Sequence, residues 1–260
     1  AYFLLGYIIE KASGLTYEQF LEDNIFKPLE MNNSYYGSHK KIIPNRAAGY
    51  QNQDGFTNAE YLSLTQPYSA GSIMSNVDDM LKWQNAVRDN KLVKASTIQL
   101  AFKGYSTNDN KPFYYGYGWG VNEINGSPTL EHGGGIFGYT TNGIWLPRED
   151  VYVIMLTNRD DIGPDYISTR LAAVAIGKPY AEAADGIGLK SETAAALSGW
   201  YAFEDGSFRN IIYEDGVLYS QRKGSSRIRL IPVSATKFAF ENSLSVLEFS
   251  ETGGGEKSVV

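Results

Sequence analysis

The chain has 260 residues, 43% of them hydrophobic, and a formal charge of −6 from 23 basic and 29 acidic side chains. That length supports one large domain or one with a smaller companion, and the acidic balance argues against a nucleic-acid partner, which selects clustered Lys and Arg. No apolar run approaches the ~18–20 residues of a membrane span; the absence of cysteine excludes disulfides and thiolate chemistry, and His39 and His132 are too few for a His-rich metal site.

Ala1 leads straight into Tyr2-Phe3-Leu4-Leu5-Gly6-Tyr7-Ile8-Ile9, with no basic stretch before the run and no small-residue cleavage site after it, unlike a signal peptide. An opening inside an apolar element reads as a chain whose first part lies upstream, and residues 252–260 likewise stop without a closing element. Residues 2–13 are apolar nearly all round, which predicts a buried helix stopped by Gly14. Thr16 and Gln19 form a capping-box pattern for a second helix carrying Phe20, Leu21, Ile25 and Phe26, ended by Pro28. From 30 to 68 no period is sustained, as in an irregular excursion bordering a site. A third helix is predicted after Gly71, capped by Ser75 with Asp78 three residues on, and packing Met80, Leu81, Trp83 and Val87 on one face; a fourth starts at Ser96 with Gln99.

Strand signals follow over 112–160. Residues 114–121 are aromatic and Gly-rich, and 139–146 and 151–157 read as an antiparallel hairpin around Pro147-Arg148-Glu149-Asp150. Pro164 starts a helix with Ile167, Leu171, Val174 and Ala175 on its apolar face, closed by Gly177 and Pro179. Residues 179–190 read as a linker between a unit at 1–178 and a small all-β unit at 191–260, whose clearest turn is Asp215-Gly216.

The densest candidate for chemistry is Glu131-His132-Gly133-Gly134-Gly135-Ile136-Phe137-Gly138-Tyr139. Three glycines ahead of a strand let a ligand lie against bare backbone, whose N–H groups can stabilise an oxyanion, and His132 can carry a proton near neutral pH. On residue types alone, a Gly-rich turn with a surface histidine is the preferred reading. A phosphate loop fits poorly, because such loops open a helix. Tyr114, Tyr115, Tyr117 and Trp119 read as packing before groove lining, Asp78 and Asp79 as first-turn charges complementing the helix dipole, and Asp160-Asp161 as a solvated turn.

In order along the chain, residues 1–14, the block around Ile25-Phe26-Lys27-Pro28-Leu29, Ala70-Gly71 to Trp83, Tyr115-Gly116-Tyr117-Gly118-Trp119 and His132-Gly133-Gly134 resemble the serine β-lactamase-like hydrolases: class C β-lactamases, penicillin-binding DD-peptidases and related esterases. The tail from about 191 resembles the small β domain often fused behind them. The resemblance implies an α+β fold, an antiparallel sheet flanked by helices, followed by a small all-β domain. It implies acyl transfer to a serine of a Ser-x-x-Lys motif, with the Tyr of Tyr-x-Asn handling protons, on a β-lactam, a D-amino-acid peptide or an ester. Carried over by position, His132 would hydrogen-bond to the substrate or the catalytic Tyr, Gly133 and Gly134 would leave room for the acyl group, and the N–H of Gly135 would be an oxyanion donor. The family needs no cofactor and works mostly outside the cytoplasm; the expected partner is a small-molecule or peptide substrate.

The chain departs from the pattern in that both leading motifs belong upstream of Ala1. Ser38-His39-Lys40-Lys41, Ser220-Gln221-Arg222-Lys223, Ser234-Ala235-Thr236-Lys237 and Tyr50-Gln51-Asn52 imitate them. None of the three serines sits in a predicted helix, where Ser and Lys would share a turn. The expectation is therefore a fragment without turnover, with a non-catalytic peptide- or peptidoglycan-binding module as the alternative.

Overall fold

Gly14, in the left-handed conformation (φ 74°), ends helix α1 (Tyr2–Ser13) by donating its N–H to Glu10 O. In the computed structural model, residues 53, 181–189, 204–206, 242, 252–256 and 260 are not described, nor are the side chains of 251–260. The chain divides into two compact units, Ala1–Tyr180 and Ala181–Val260. Most of the expected linker at 179–190 lies outside the described residues.

The first helix is not buried as its composition predicted. Only Gly6 is buried, whereas Leu4 and Ile8 are 62% and 57% exposed. The helix is packed along one side: Ser69 Oγ donates to Tyr2 O and Phe3 O at 2.9 and 3.1 Å over Gly6, Phe3 meets Tyr68 edge-on at 4.9 Å, and Ile9 packs with Tyr17 and Leu21. Thr16 does cap α2 (Tyr17–Leu21), accepting the Gln19 N–H at 3.2 Å, and the helix runs on through a π-helical turn, Glu22–Phe26. The excursion that follows holds three short strands, β1 (Tyr35–Tyr36), β2 (Tyr50–Asn52) and β3 (Phe56–Asn58); β4 (Ile73–Met74) then pairs with β1.

Helix α3 (Val77–Arg88) is capped by Asn76, not Ser75: Asn76 Oδ1 accepts the Asp79 N–H at 2.9 Å, while the Ser75 hydroxyl pairs with that of Ser34 at 2.8 Å. The shift by one residue puts Asp79 in the first turn facing inward, where its side chain is fully buried. Its carboxylate accepts the Asn33 N–H at 2.7 Å and the Ser34 hydroxyl at 3.0 Å and pairs with Lys82 at 2.9 Å. Burial alone would raise its pKa, but Lys82, the Asn33 amide and the Ser34 hydroxyl outweigh burial and hold it below the usual carboxylate value. Asp79 therefore ties the 33–34 loop to α3, a larger role than complementing the dipole. Leu81, expected on the packed face, is exposed; Gln84, Ala86 and Val87 take that face. Helix α4 (Ala95–Ala101) starts after Lys94 with no side-chain cap, so Ser96 lies inside it.

Two short strands, β5 (Tyr105–Ser106) and β6 (Pro112–Phe113), pair as a hairpin, and residues 114–119, expected as strand, form a turn closed by Gly116 N–H to Trp119 O at 2.7 Å. Strands β7 (Gly120–Ile124), β8 (Ser127–Ile136), β9 (Tyr139–Leu146) and β10 (Val151–Thr157) make an antiparallel sheet in the order β10-β9-β8-β7. Its pleat sorts the core: Leu130 and Trp145, opposite each other, pack with Val87 of α3, while Ile124, Ile144 and Leu146 pack with Ala172 and Ala173. Those alanines belong to α5 (Pro164–Ala175), which opens on Pro164 as predicted. Its apolar face is turned the other way, however: Leu171 and Val174 are exposed, because the small Ser168, Ala172 and Ala173 allow the helix to approach the sheet. Asp161 is an exposed bend residue as expected, and it is also paired: Arg159 at 2.6 Å and Asn52 at 2.9 Å hold its carboxylate down to about 2.

The second unit opens with a short helix the sequence reading lacked, α6 (Ser191–Ala196). Seven strands follow as an antiparallel meander: β11 (Gly199–Ala202), β12 (Phe208–Glu214), β13 (Val217–Arg222), β14 (Ile228–Pro232), β15 (Lys237–Phe240), β16 (Val246–Glu251) and β17 (Lys257–Val259). Asp215 and Gly216, both at positive φ (50° and 81°), form the tight turn between β12 and β13. Ile211, Leu218, Leu230, Phe238 and Leu247 fill the core.

Truncating Asp79 strands two donors and a cation, so Asp79→Ala is expected to cost about 3 kcal/mol in urea unfolding. Because the folded pKa of Asp79 is depressed, its stabilisation is present above the unfolded value near 4 and is lost as pH falls through the folded value; the variant's acid limb should be flatter there.

Candidate active site

The glycine triad lies within β8, not in a turn ahead of it. Register with β9 is continuous: His132 opposes Gly143, Gly133 opposes Asn142, Gly134 opposes Thr141 and Gly135 opposes Thr140. On the other side β7 pairs only as far as Gly120 with Glu131. From 132 to 136 that edge of β8 has no strand beside it among the described residues, and residues 132–135 are exposed.

Alternation divides the triad between two faces. His132 and Gly134 share the face of Leu130; Gly133 shares that of Glu131, where Asn142 Nδ2 donates to Ser168 Oγ of α5 at 2.8 Å. A cleft of about 430 Å³ is lined by Tyr115, Glu131, His132, Gly133, Asn142, Asp165 and Thr169. The imidazole is held at both nitrogens: Nδ1 lies 2.6 Å from Gly133 O and Nε2 2.9 Å from the Tyr115 hydroxyl. A carbonyl only accepts, so Nδ1 carries a proton, and Nε2 shares a hydrogen bond with the Tyr115 hydroxyl. Burial, and after it a hydrogen bond with the Tyr2 phenol, push the Tyr115 pKa up to about 12, so its hydroxyl stays protonated.

Tyr115 lies in a sequence motif that carries no sign of this bond, and Glu131 opens the candidate run with no role of its own; Asn142, Asp165 and Thr169 carry no signal, being ordinary in type and scattered in sequence. The glycines differ in what surrounds them. A Cβ on Gly134 would come within 2.6 Å of Thr141 Oγ1, whereas one on Gly135 would meet nothing within 4 Å. Gly116 is the most confined, since its Cβ would sit 1.9 Å from Ala101 O. Trp119 packs edge-on to Phe102 at 5.5 Å, in the core, while Tyr114 and Tyr117 stay exposed.

The imitation motifs are dispersed. Ser38 Oγ accepts the backbone N–H groups of Lys40 and Lys41, and the Lys41 ammonium reaches Glu22 at 3.4 Å. Ser220 is buried in β13, Ser234 Oγ accepts the Lys237 N–H at 3.0 Å, and Asn52 of the Tyr50 run donates to Asp161.

Residues 1–178 match the sequence profile of the beta-lactamase family. The chain belongs to the beta-lactamase family. Among relatives, it is 28% identical over 283 residues to penicillin-binding protein 4* of Bacillus subtilis, covering 100% of this chain and 62% of that protein. It is 22% identical over 179 residues to a D-aminopeptidase of Gluconobacter oxydans, covering 68% of this chain and 34% of the relative. The chain thus spans about three fifths of the length of the first and a third of the second. The octameric penicillin-binding protein homologue from Pyrococcus abyssi superposes with a TM-score of 0.65 at 23% identity, over 99% of this chain and 58% of that one. The D-amino acid amidase from Ochrobactrum anthropi superposes at 0.57 and 23%, over 68% and 57%. These likenesses fix the fold as α+β with a C-terminal all-β region. No helix among the described residues is long and apolar enough to cross a membrane.

Gly116→Ala, which drives a methyl into a backbone carbonyl, should lower stability by about 2–3 kcal/mol and release His132 from Tyr115, whereas Gly135→Ala should change stability by less than about 0.5 kcal/mol. Thermal melts together with the imidazole NMR signals check both.

Proposed function

We propose that this chain supplies the substrate-strand wall of a serine acyl-transfer hydrolase acting on a β-lactam, a D-amino-acid peptide or an ester. The observation carrying the reading is the unpaired edge of β8 at 132–136, bare of side chains over three glycines and flanked by an imidazole. An extended acyl substrate adds to such an edge through main-chain hydrogen bonds, as a further strand would. Gly133 and Gly134 leave room for the acyl group, and the Gly135 N–H is one oxyanion donor. His132 hydrogen-bonds to the substrate or to the catalytic tyrosine once Tyr115 gives up Nε2; Tyr115 is thus a positioning residue that holds the resting ring at Nε2.

The nucleophilic serine and its lysine come from outside these 260 residues, as the scattered imitation motifs support. The 260 residues taken alone carry out no turnover. The unit at 191–260 is an accessory β domain, and the intact protein works outside the cytoplasm, as penicillin-binding relatives suggest.

The chain incubated with a fluorescent penicillin or a fluorophosphonate should acquire no label; a labelled Ser38, Ser220 or Ser234 contradicts the reading. In the full-length protein, His132→Ala should lower kcat/KM about 100-fold or more, while Tyr115→Phe, which keeps the imidazole, should lower it less than about tenfold and shift the pH profile.

A further inference from the structure

Beyond His132, residues 103–117 build a shelf of rings of which the reaction above uses only Tyr115. Tyr105 and Phe113 face each other across the β5–β6 hairpin, whose turn is held by Thr107 N–H donating to Lys111 O at 2.9 Å. Tyr105 stacks on Tyr117 with centroids 5.7 Å and planes 9° apart, and its hydroxyl donates to Leu100 O at 3.2 Å. The rings are therefore ordered before anything binds, yet Phe113, Tyr114 and Tyr117 are 54%, 65% and 62% exposed. A cleft of about 470 Å³ runs beside Tyr105, Phe113 and Tyr114, and Lys103 is its one charged lining residue. Lys111 is engaged by Asp109 at 2.9 Å, whereas Lys103 has no carboxylate partner among the described residues. The Phe113 ring lies 6.2 Å from that of Tyr115, which lies 6.0 Å from His132, so the shelf continues the β8 edge.

We propose that this cleft is a specificity subsite for an aromatic residue of a peptide substrate, with the peptide's carboxylate paired to Lys103. The inference rests on the reading of the β8 edge as the substrate strand. Pre-ordered rings lose little entropy on taking a further ring edge-on or offset. On a chain of net charge −6, an unpaired ammonium beside those rings is what admits an anion there.

The test is an NMR titration of the 260-residue chain with N-acetylphenylalanine, its primary amide and N-acetylalanine, following the Phe113 and Tyr114 ring signals. N-acetylphenylalanine should shift those rings; the alanine compound should bind about tenfold more weakly or worse, and the amide about two- to fivefold more weakly, as for loss of an exposed ion pair. Lys103→Gln should erase the acid–amide difference, and Phe113→Ala should cost about tenfold. His132→Ala should leave the titration unchanged. Equal binding of the phenyl and methyl compounds, or an acid–amide difference that survives Lys103→Gln, overturns the subsite. Failure of the acyl-transfer reading would instead appear in the His132→Ala kinetics, with the ring selectivity intact.

Discussion

Everything at the candidate site depends on where β7 stops pairing with β8. Ser127 to Glu131 pair with β7 and Leu130 to Ile136 with β9, so Leu130 and Glu131 are bonded on both sides, with Leu130 packed toward α3. Beyond Glu131 the strand keeps β9 and loses β7. A strand edge with free N–H and C=O groups invites another chain, and proteins normally cover or charge such edges. Here the sequence instead places His132 and three glycines, which are poor strand formers at about 0.5–1 kcal/mol each. That local cost is offset by the well-packed half of the same strand, and what it leaves is an accessible stretch of backbone in fixed register.

The fixed register comes from both faces of the sheet. Leu130 and Trp145 meet Val87, and α3 is itself anchored by the buried Asp79 to the loop at 33–34. On the opposite face Asn142, paired across from Gly133, is held by Ser168 of α5. The geometry around His132 is thus set by residues that touch no ligand, and the imidazole's own bonds to Gly133 O and Tyr115 hold the ring at both nitrogens. The proposed acyl transfer requires donors in place before charge develops, and a strand packed on both faces is suited to that.

Much of this was legible in the sequence. The hairpin of 139–146 with 151–157, the Thr16 cap, Pro164 at the start of α5 and the Asp215-Gly216 turn each rest on local chemistry that tertiary contacts did not override. The errors share a cause, since burial is decided by what lies opposite. Composition made α1 a buried helix, but only Gly6 of it is buried; periodicity chose Leu171 and Val174 for the packed face of α5, but alanines allow the closer approach to the sheet. Asn76 took the cap from Ser75 because Ser75 is drawn to Ser34, a partner 41 positions away. At the site, the glycine run was visible as bare backbone, but the end of β7 and the bond from Tyr115 to His132 are long-range facts that no spacing encodes.

The central claim is that residues 132–136 of β8 form an open strand edge that an acyl substrate fills. Backbone amide hydrogen exchange, resolved residue by residue across β8 in the full-length protein with and without a bound penicillin, addresses it most directly. The account predicts that the edge-facing amides of 132–136 exchange rapidly in the free protein and become protected at least about tenfold on acylation, with residues 127–131 unchanged. Protection of those amides already present without ligand, or acylation that leaves their exchange untouched, would contradict it.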